Sequence, residues 1–309
     1  MRVYVESWAP EYGGPIELAE ELTPEEVDVG VETDEWRPLD GRGDLPQRVA
    51  FVDGVRRIDA RLTADHPEAG PVPGICGSCA AGSVVWDAVQ RQSKFRDEDI
   101  RRLAILGEGL AVALPAVGGL VYDSESCPSR DTGALIQQLQ TRMRQVEGEL
   151  SKALAAEGFF VVSDGPIQPL APHGVVGFIK RQLAPYLQPA QARVVGALRP
   201  GQRTPLFRFG ERYPRYSWYL RLADVLGGHS WSGVARCECT ATLPLSQARD
   251  LADASALLLP RFASAPHIDP RAPQNLVPIG ALEKHLRRLL GDAALVYRTL
   301  RSAALGLEM

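Results

Sequence analysis

The sequence predicts an α/β fold, a mixed β-sheet flanked by helices. Three observations carry that expectation. Two short apolar runs, Val49–Val52 and Phe159–Ser163, each lead into an Asp-Gly pair, Asp53-Gly54 and Asp164-Gly165. The stretch between them holds one long segment with apolar residues at helical spacing. Strand-like and helix-like segments then alternate through the middle of the chain, as they do in α/β domains.

Taken in order, Val3 and Val5 alternate with polar neighbours and read as a short edge strand, and Ile16 to Glu26 as a short helix. Residues 1–47 are punctuated by Pro10, Pro15, Pro24, Pro38 and Pro46, so they read as an acidic N-terminal appendage to a main domain over 48–309. Val49–Val52 is a buried strand that Asp53-Gly54 should end in a turn, with Arg57–Leu62 returning as a hairpin partner. Residues 64–79 read as a Pro/Gly-rich loop, and Gly82–Val89 as a third strand. Leu103–Tyr122 is the most apolar window and reads as buried core. Its uncharged run, Gly109–Tyr122, falls short of the roughly 20 apolar residues that cross a bilayer.

Asp131-Thr132 offers a helix N-cap, and Leu135, Leu139, Met143, Val146, Leu150 and Leu154 form the apolar stripe of a helix that Gly158 should stop. Later strands are expected at Gly174–Lys180, Pro205–Phe209, Ser217–Leu222 and Val234–Thr240, with a closing helix over Ile279–Leu290.

Charge is unevenly placed. Residues 1–40 hold twelve acids and two bases, Arg2 and Arg37, a net of −10. The remaining 269 residues hold 32 bases and 26 acids, a net of +6. The body therefore attracts a polyanion only locally. Four of the 34 basic residues are lysines, and the rest are arginines with planar phosphate-binding forks. The N-terminal residues lack the apolar segment of a secretion signal, and an odd count of five cysteines suits a reducing compartment, so a cytoplasmic protein is expected.

The two strand-to-Asp-Gly units put carboxylates at the mouths of buried strands, where open α/β sheets bind ligands. Asp53 and Asp164 on neighbouring strands would repel unless a divalent cation held both. Glu147 lies about 80° from Leu139 around the intervening helix, at the edge of its buried stripe. Two plainer readings stay open. An Asp-Gly pair also serves as an ordinary turn, and Arg144 at i−3 would pair Glu147 on the helix surface.

These pieces occur together as FVDG at 51–54, MRQVEGEL at 143–150, VVSDGPI at 161–167, GVVGFIKR at 174–181, SWYLRL at 217–222, Arg236-Cys-Glu238 and VPIGALEKH at 277–285. In that order and spacing the chain resembles the NurA family of DNA-repair nucleases. The resemblance implies an RNase H-like fold and a metal-dependent nuclease acting at DNA double-strand breaks. It also implies Asp53, Glu147, Asp164 and His285 as a catalytic and metal-binding set for manganese, with magnesium as the alternative. Val277 stands where the family has a tyrosine, and Gly280 where it has a second proline. The family likewise implies a homodimer, DNA as substrate and a HerA-type hexameric ATPase as partner. The chemistry agrees, because two divalent ions about 3.5–4 Å apart activate water and neutralise a phosphodiester.

Lys180 and Arg181 follow the GVVGFI strand. Arg203, Arg208, Arg212, Arg215, Arg221 and Arg236 recur among aromatics in the later strands. Lys180, Arg181, Arg203 and Arg236 are the candidate DNA contacts, with strand composition as the plain alternative. Cys76-x-x-Cys79 and Cys237-x-Cys239 lack the paired spacing of structural zinc. No Walker A motif is present. Two other functions fit the same residues: a non-catalytic nucleic-acid-binding subunit of a HerA-type complex, and an RNase H-like enzyme acting on RNA-containing substrates.

Overall fold

A computed structural model describes residues 27–169, 171–180 and 186–305. The expected strand at Val3–Val5, the expected helix at 16–26 and the candidate contact Arg181 lie outside the described residues. The chain divides into two compact units. Of the described residues, the first takes those up to Val52, then Val84–Lys94 and those from Ser151 to Ala281. The second takes Asp53–Ser83, Phe95–Leu150 and the residues from Leu282 onward.

Secondary structure is mixed α/β, with strands of both orientations. The strands are β1 (Val27–Asp28), β2 (Leu39–Asp40), β3 (Arg48–His66), β4 (Gly70–Asp87), β5 (Gln92–Leu106), β6 (Asp123–Ser126), β7 (Phe160–Asp164), β8 (Val175–Ile179), β9 (Gln202–Arg203), β10 (Phe207–Phe209), β11 (Arg215–Arg221) and β12 (Val234–Thr240). The helices are α1 (Thr132–Ala156), α2 (Pro189–Ala197), α3 (Leu245–Leu258), α4 (Val277–Leu289) and α5 (Ala293–Leu305). No helix among the described residues is long and apolar enough to cross a membrane.

In the first unit β7 lies between β3 and β8, parallel to both. Its register pairs Val49 with Phe160 and Val52 with Ser163, then Val161 with Val175 and Asp164 with Phe178. Val49, Ala50, Phe51 and Val52 are all fully buried, as a parallel strand covered on both faces requires. Beyond β8 the ladder turns antiparallel through β12, β11, β10 and β1, and β9 bridges β11 to β2. Phe207, Tyr219, Tyr186 and Val195 form one core cluster with Trp36 packed against it.

In the second unit β3, β4, β5 and β6 follow one another in the sheet, and β6 runs parallel to β5. The stripe of α1 packs as expected: Leu135, Leu139 and Met143 join Ile75, Cys79, Leu103 and Ile105 in one cluster. Asp131 caps α1, accepting a bond from the Ala134 N–H at 2.9 Å, and Gly158 follows the helix with φ +82°.

Several expectations are corrected. Asp53-Gly54 is no turn, because β3 runs straight through it to His66 and includes the segment expected to return as a hairpin. Residues 70–79 are part of β4 rather than a loop, and the expected third strand is the far end of that same β4. Both changes have one cause: glycines here serve close approach. A Cβ on Gly77 would collide with Leu139 Cδ2, and one on Gly54 would lie 2.5 Å from Glu147 Oε1. The apolar window is buried over Leu103–Gly107 and again at Tyr122. Its remainder leaves β5 as a loop in which Val121 is 62% exposed. Helices α2, α3 and α5 were not expected. The buried face of α3 is Ala248, Ala252, Ser255 and Ala256 with Leu258 at its end, mostly small residues that give little periodic signal.

Candidate active site

Asp53 and Glu147 belong to the second unit. Asp53 follows the last residue of β3 that pairs with β7, and its Oδ1 accepts the Gly54 N–H at 2.8 Å. Glu147 projects from α1 towards Gly54, where a methyl would also meet Met143 Cγ at 2.9 Å. Both acids are nearly buried, at 8% and 6% exposure. Their carboxylate oxygens are hard donors, a chemistry that suits manganese or magnesium. Among the described residues, however, no three His, Cys, Asp or Glu side chains are gathered as a set that holds a metal.

Asp164 belongs to the first unit and heads a chain of hydrogen bonds. Lys180, the residue after β8, donates from Nζ to Asp164 Oδ2 at 2.6 Å and to Asn275 Oδ1 at 2.8 Å. Asn275 in turn donates from Nδ2 to Asp269 Oδ2 at 2.7 Å. Arg271 closes the line on Asp269, with its backbone N–H at 2.8 Å and its Nη2 at 3.1 Å. Burial pushes the Asp269 carboxyl up, but the Arg271 and Asn275 bonds outweigh it and hold the group below its ordinary value. Asn275 is 1% exposed, so both ends of its amide are fixed by this line.

His285 sits elsewhere on the second unit. Its Nε2 lies 3.0 Å from Glu98 Oε1, and its ring stacks on Phe95 at 4.2 Å. Val277 is exposed at the start of α4. A Cβ on Gly280 would approach Asn275 Nδ2 to 3.0 Å, which leaves little room for a larger residue there.

Two of the expected DNA contacts, Arg203 and Arg236, have internal carboxylate partners. Arg203 is buried and reaches Glu32 with Nη1 and Nη2 at 2.9 and 3.0 Å and Asp253 with Nε at 2.6 Å. Arg236 is buried too, donating to Glu238 Oε2 at 2.8 Å and lying 4.5 Å from the Tyr186 ring. Lys180 is buried against Asp164 and Asn275.

Sequence reasoning missed Asn275, Asp269 and Arg271, which carry no motif and lie between α3 and α4. It also missed a buried group in the second unit. There Asp59 accepts from Arg57 Nε at 2.7 Å, from Tyr122 at 2.8 Å and from Ser78. Burial and Asp59 raise the Tyr122 phenol above its ordinary range. Cys76 and Cys79 face opposite sides of β4 and join different apolar clusters. Burial pushes their thiols up to about 12 and about 11, the reverse of what a metal-binding thiolate needs.

No family model and no curated protein matches the chain. Among solved structures it is similar to the NurA nuclease from Sulfolobus solfataricus, with a TM-score of 0.42 and 11% identity over 91% of this chain and 93% of that one. It is also similar to the catalytic domain of human Endonuclease V, with a TM-score of 0.35 and 16% identity over 80% of this chain and 85% of that one.

Proposed function

We propose that the chain is a metal-dependent DNA nuclease that hydrolyses phosphodiesters. The observation that carries this reading is the parallel ladder of β3 and β7: it ends at the pair Val52–Ser163, and the next residue on each strand is an aspartate, Asp53 and Asp164. The buried Glu147, set against Gly54, supplies a third acid. The resemblance of the sequence motifs to NurA nucleases supports the same assignment.

Asp53, Glu147 and Asp164 would hold manganese or magnesium. When bound, such ions supply an activated water and neutralise charge on the scissile phosphate. The chain's own residues then have separate tasks. Lys180 orients Asp164 and balances its charge, and Asn275 keeps the Lys180 ammonium in place. Gly54 leaves room for the Glu147 carboxylate beside the strand. His285 is not carried into the ligand set, because Glu98 holds its Nε2. A role at double-strand breaks, a HerA-type ATPase partner and a homodimer belong to the same proposal and rest on the motif resemblance alone.

A second reading, a non-catalytic nucleic-acid-binding subunit, is favoured by one observation: no three metal-ligating side chains are gathered among the described residues. One experiment separates the two. The full chain is incubated with linear and single-stranded DNA in manganese and in magnesium, beside the Asp53→Asn variant. The nuclease reading expects cleavage by the wild type only, DNA binding by both, and a manganese-dependent rise in melting temperature lost in the variant. A wild type that cuts neither substrate in either metal overturns it.

A further inference from the structure

Arginines and aromatics of the later strands take no part in the proposed cleavage chemistry, yet several converge within the first unit on a cavity of about 300 Å³. One wall starts at Ile167, three residues beyond Asp164, whose N–H donates to Glu238 Oε1 at 2.9 Å and so ties that wall to β12. His173, Arg212, Tyr213, Arg215 and Thr240 supply much of the remaining lining. None of its described lining residues is an aspartate or a glutamate, and Arg212 and Arg215 bring positive charge to it, that of Arg215 offset in part by Glu238.

The cavity pairs two kinds of surface. Tyr213 is 37% exposed, and the Arg212 guanidinium lies 5.3 Å from its ring centroid. Arg215 is fixed by a bond to the fully buried Glu238 at 2.8 Å. A ligand that matches both must offer a flat ring to the tyrosine and an anion to the arginines. A nucleotide offers both, and the volume sits at the lower end of the range for small-ligand sites. A base inside a duplex keeps its faces stacked on its neighbours, whereas an unpaired base is free to lie on an aromatic side chain.

We propose that this cavity binds one nucleotide of a single-stranded DNA segment, with the base against Tyr213 and the phosphate against Arg212 and Arg215. The proposal rests on the reading of the chain as a protein that acts on DNA, and it adds a strand-selecting subsite to it. Binding of the full chain to a labelled oligo-dT strand, measured by fluorescence anisotropy in EDTA, tests it without cleavage. Tyr213→Ala should weaken binding by about tenfold, and Tyr213→Phe should bind as the wild type does. Arg212→Ala should reduce the slope of log K against log salt by about 0.7, one phosphate's worth. A blunt duplex of the same length should be insensitive to Tyr213→Ala. Both residues are exposed at a turn, so unchanged circular dichroism and melting temperature are expected.

Equal binding by the wild type and Tyr213→Ala, equal loss with the duplex, or no wild-type binding to oligo-dT overturns the subsite. Failure of the nuclease reading looks different: a wild type that binds oligo-dT through Tyr213 but never cuts DNA removes the enzyme and keeps the subsite.

Discussion

Lys180 Nζ lies 2.6 Å from Asp164 Oδ2, joining the residue after β8 to the last residue of β7 through side chains that are 5% and 17% exposed. Removing the ammonium would leave a largely buried carboxylate and the Asn275 carbonyl without their cation. Lys180→Met should therefore cost about 3 kcal/mol of stability, read from urea unfolding. Asn275→Ala should lower stability as well and slow DNA cleavage, because the amide holds the ammonium in place.

Gly54→Ala tests whether space beside β3 matters for Glu147. The added methyl would meet Glu147 Oε1 at 2.5 Å and Met143 Cγ at 2.9 Å. Overpacking of this kind costs about 1–3 kcal/mol. The variant should melt lower and cleave DNA more slowly than the wild type. A Gly54→Ala protein with unchanged melting and cleavage would show that the helix has slack there.

Glu32 makes stability depend on pH. Burial raises its carboxyl, but Arg203, the Leu206 N–H and Arg249 together bring it below its ordinary value of 4.5. A group whose folded value is depressed contributes stability above its unfolded value and loses it as pH falls through the folded one. The wild type should thus lose stability below about pH 4.5, and Glu32→Gln should lose less across that window. Chemical denaturation at a series of acidic pH values measures the difference.

The five cysteines are all buried and free. With burial holding Cys76 and Cys239 up at about 12 and Cys79 at about 11, they should resist alkylation at pH 8 in the native protein. Iodoacetamide labelling followed by mass spectrometry should find them modified only after unfolding. Rapid native labelling at Cys76 or Cys79 would show that β4 opens locally.

The sequence was legible where one pattern had one cause. The stripe Leu135, Leu139, Met143 reads as a helix and packs as one, and β12 spans Val234–Thr240 as expected. Asp-Gly was ambiguous because the dipeptide has two uses. At Gly165, φ is +86° and the pair ends its strand, whereas Gly54 sits inside β3 to admit Glu147. Asp53, Glu147 and Asp164 stand out in the sequence because each adjoins a readable element. Asn275 does not, since its place in the line depends on a bond to Lys180, nearly a hundred positions away, and Asp269 is tied in through Asn275. Arg203 and Arg236 show the limit, because a basic residue in a strand looks the same whether its anionic partner is a phosphate or an internal carboxylate.

Gly77 and Gly54 act on α1 as two notches in a track. Leu139 drops over the first and Glu147 over the second. These helix positions are eight residues apart, about 12 Å along the axis. A helix keyed at two such points can neither slide nor rotate by a residue without driving a side chain into backbone. The bare strand positions thus set where the glutamate stands, so an engineer wishing to relocate that acid would have to move the glycines first.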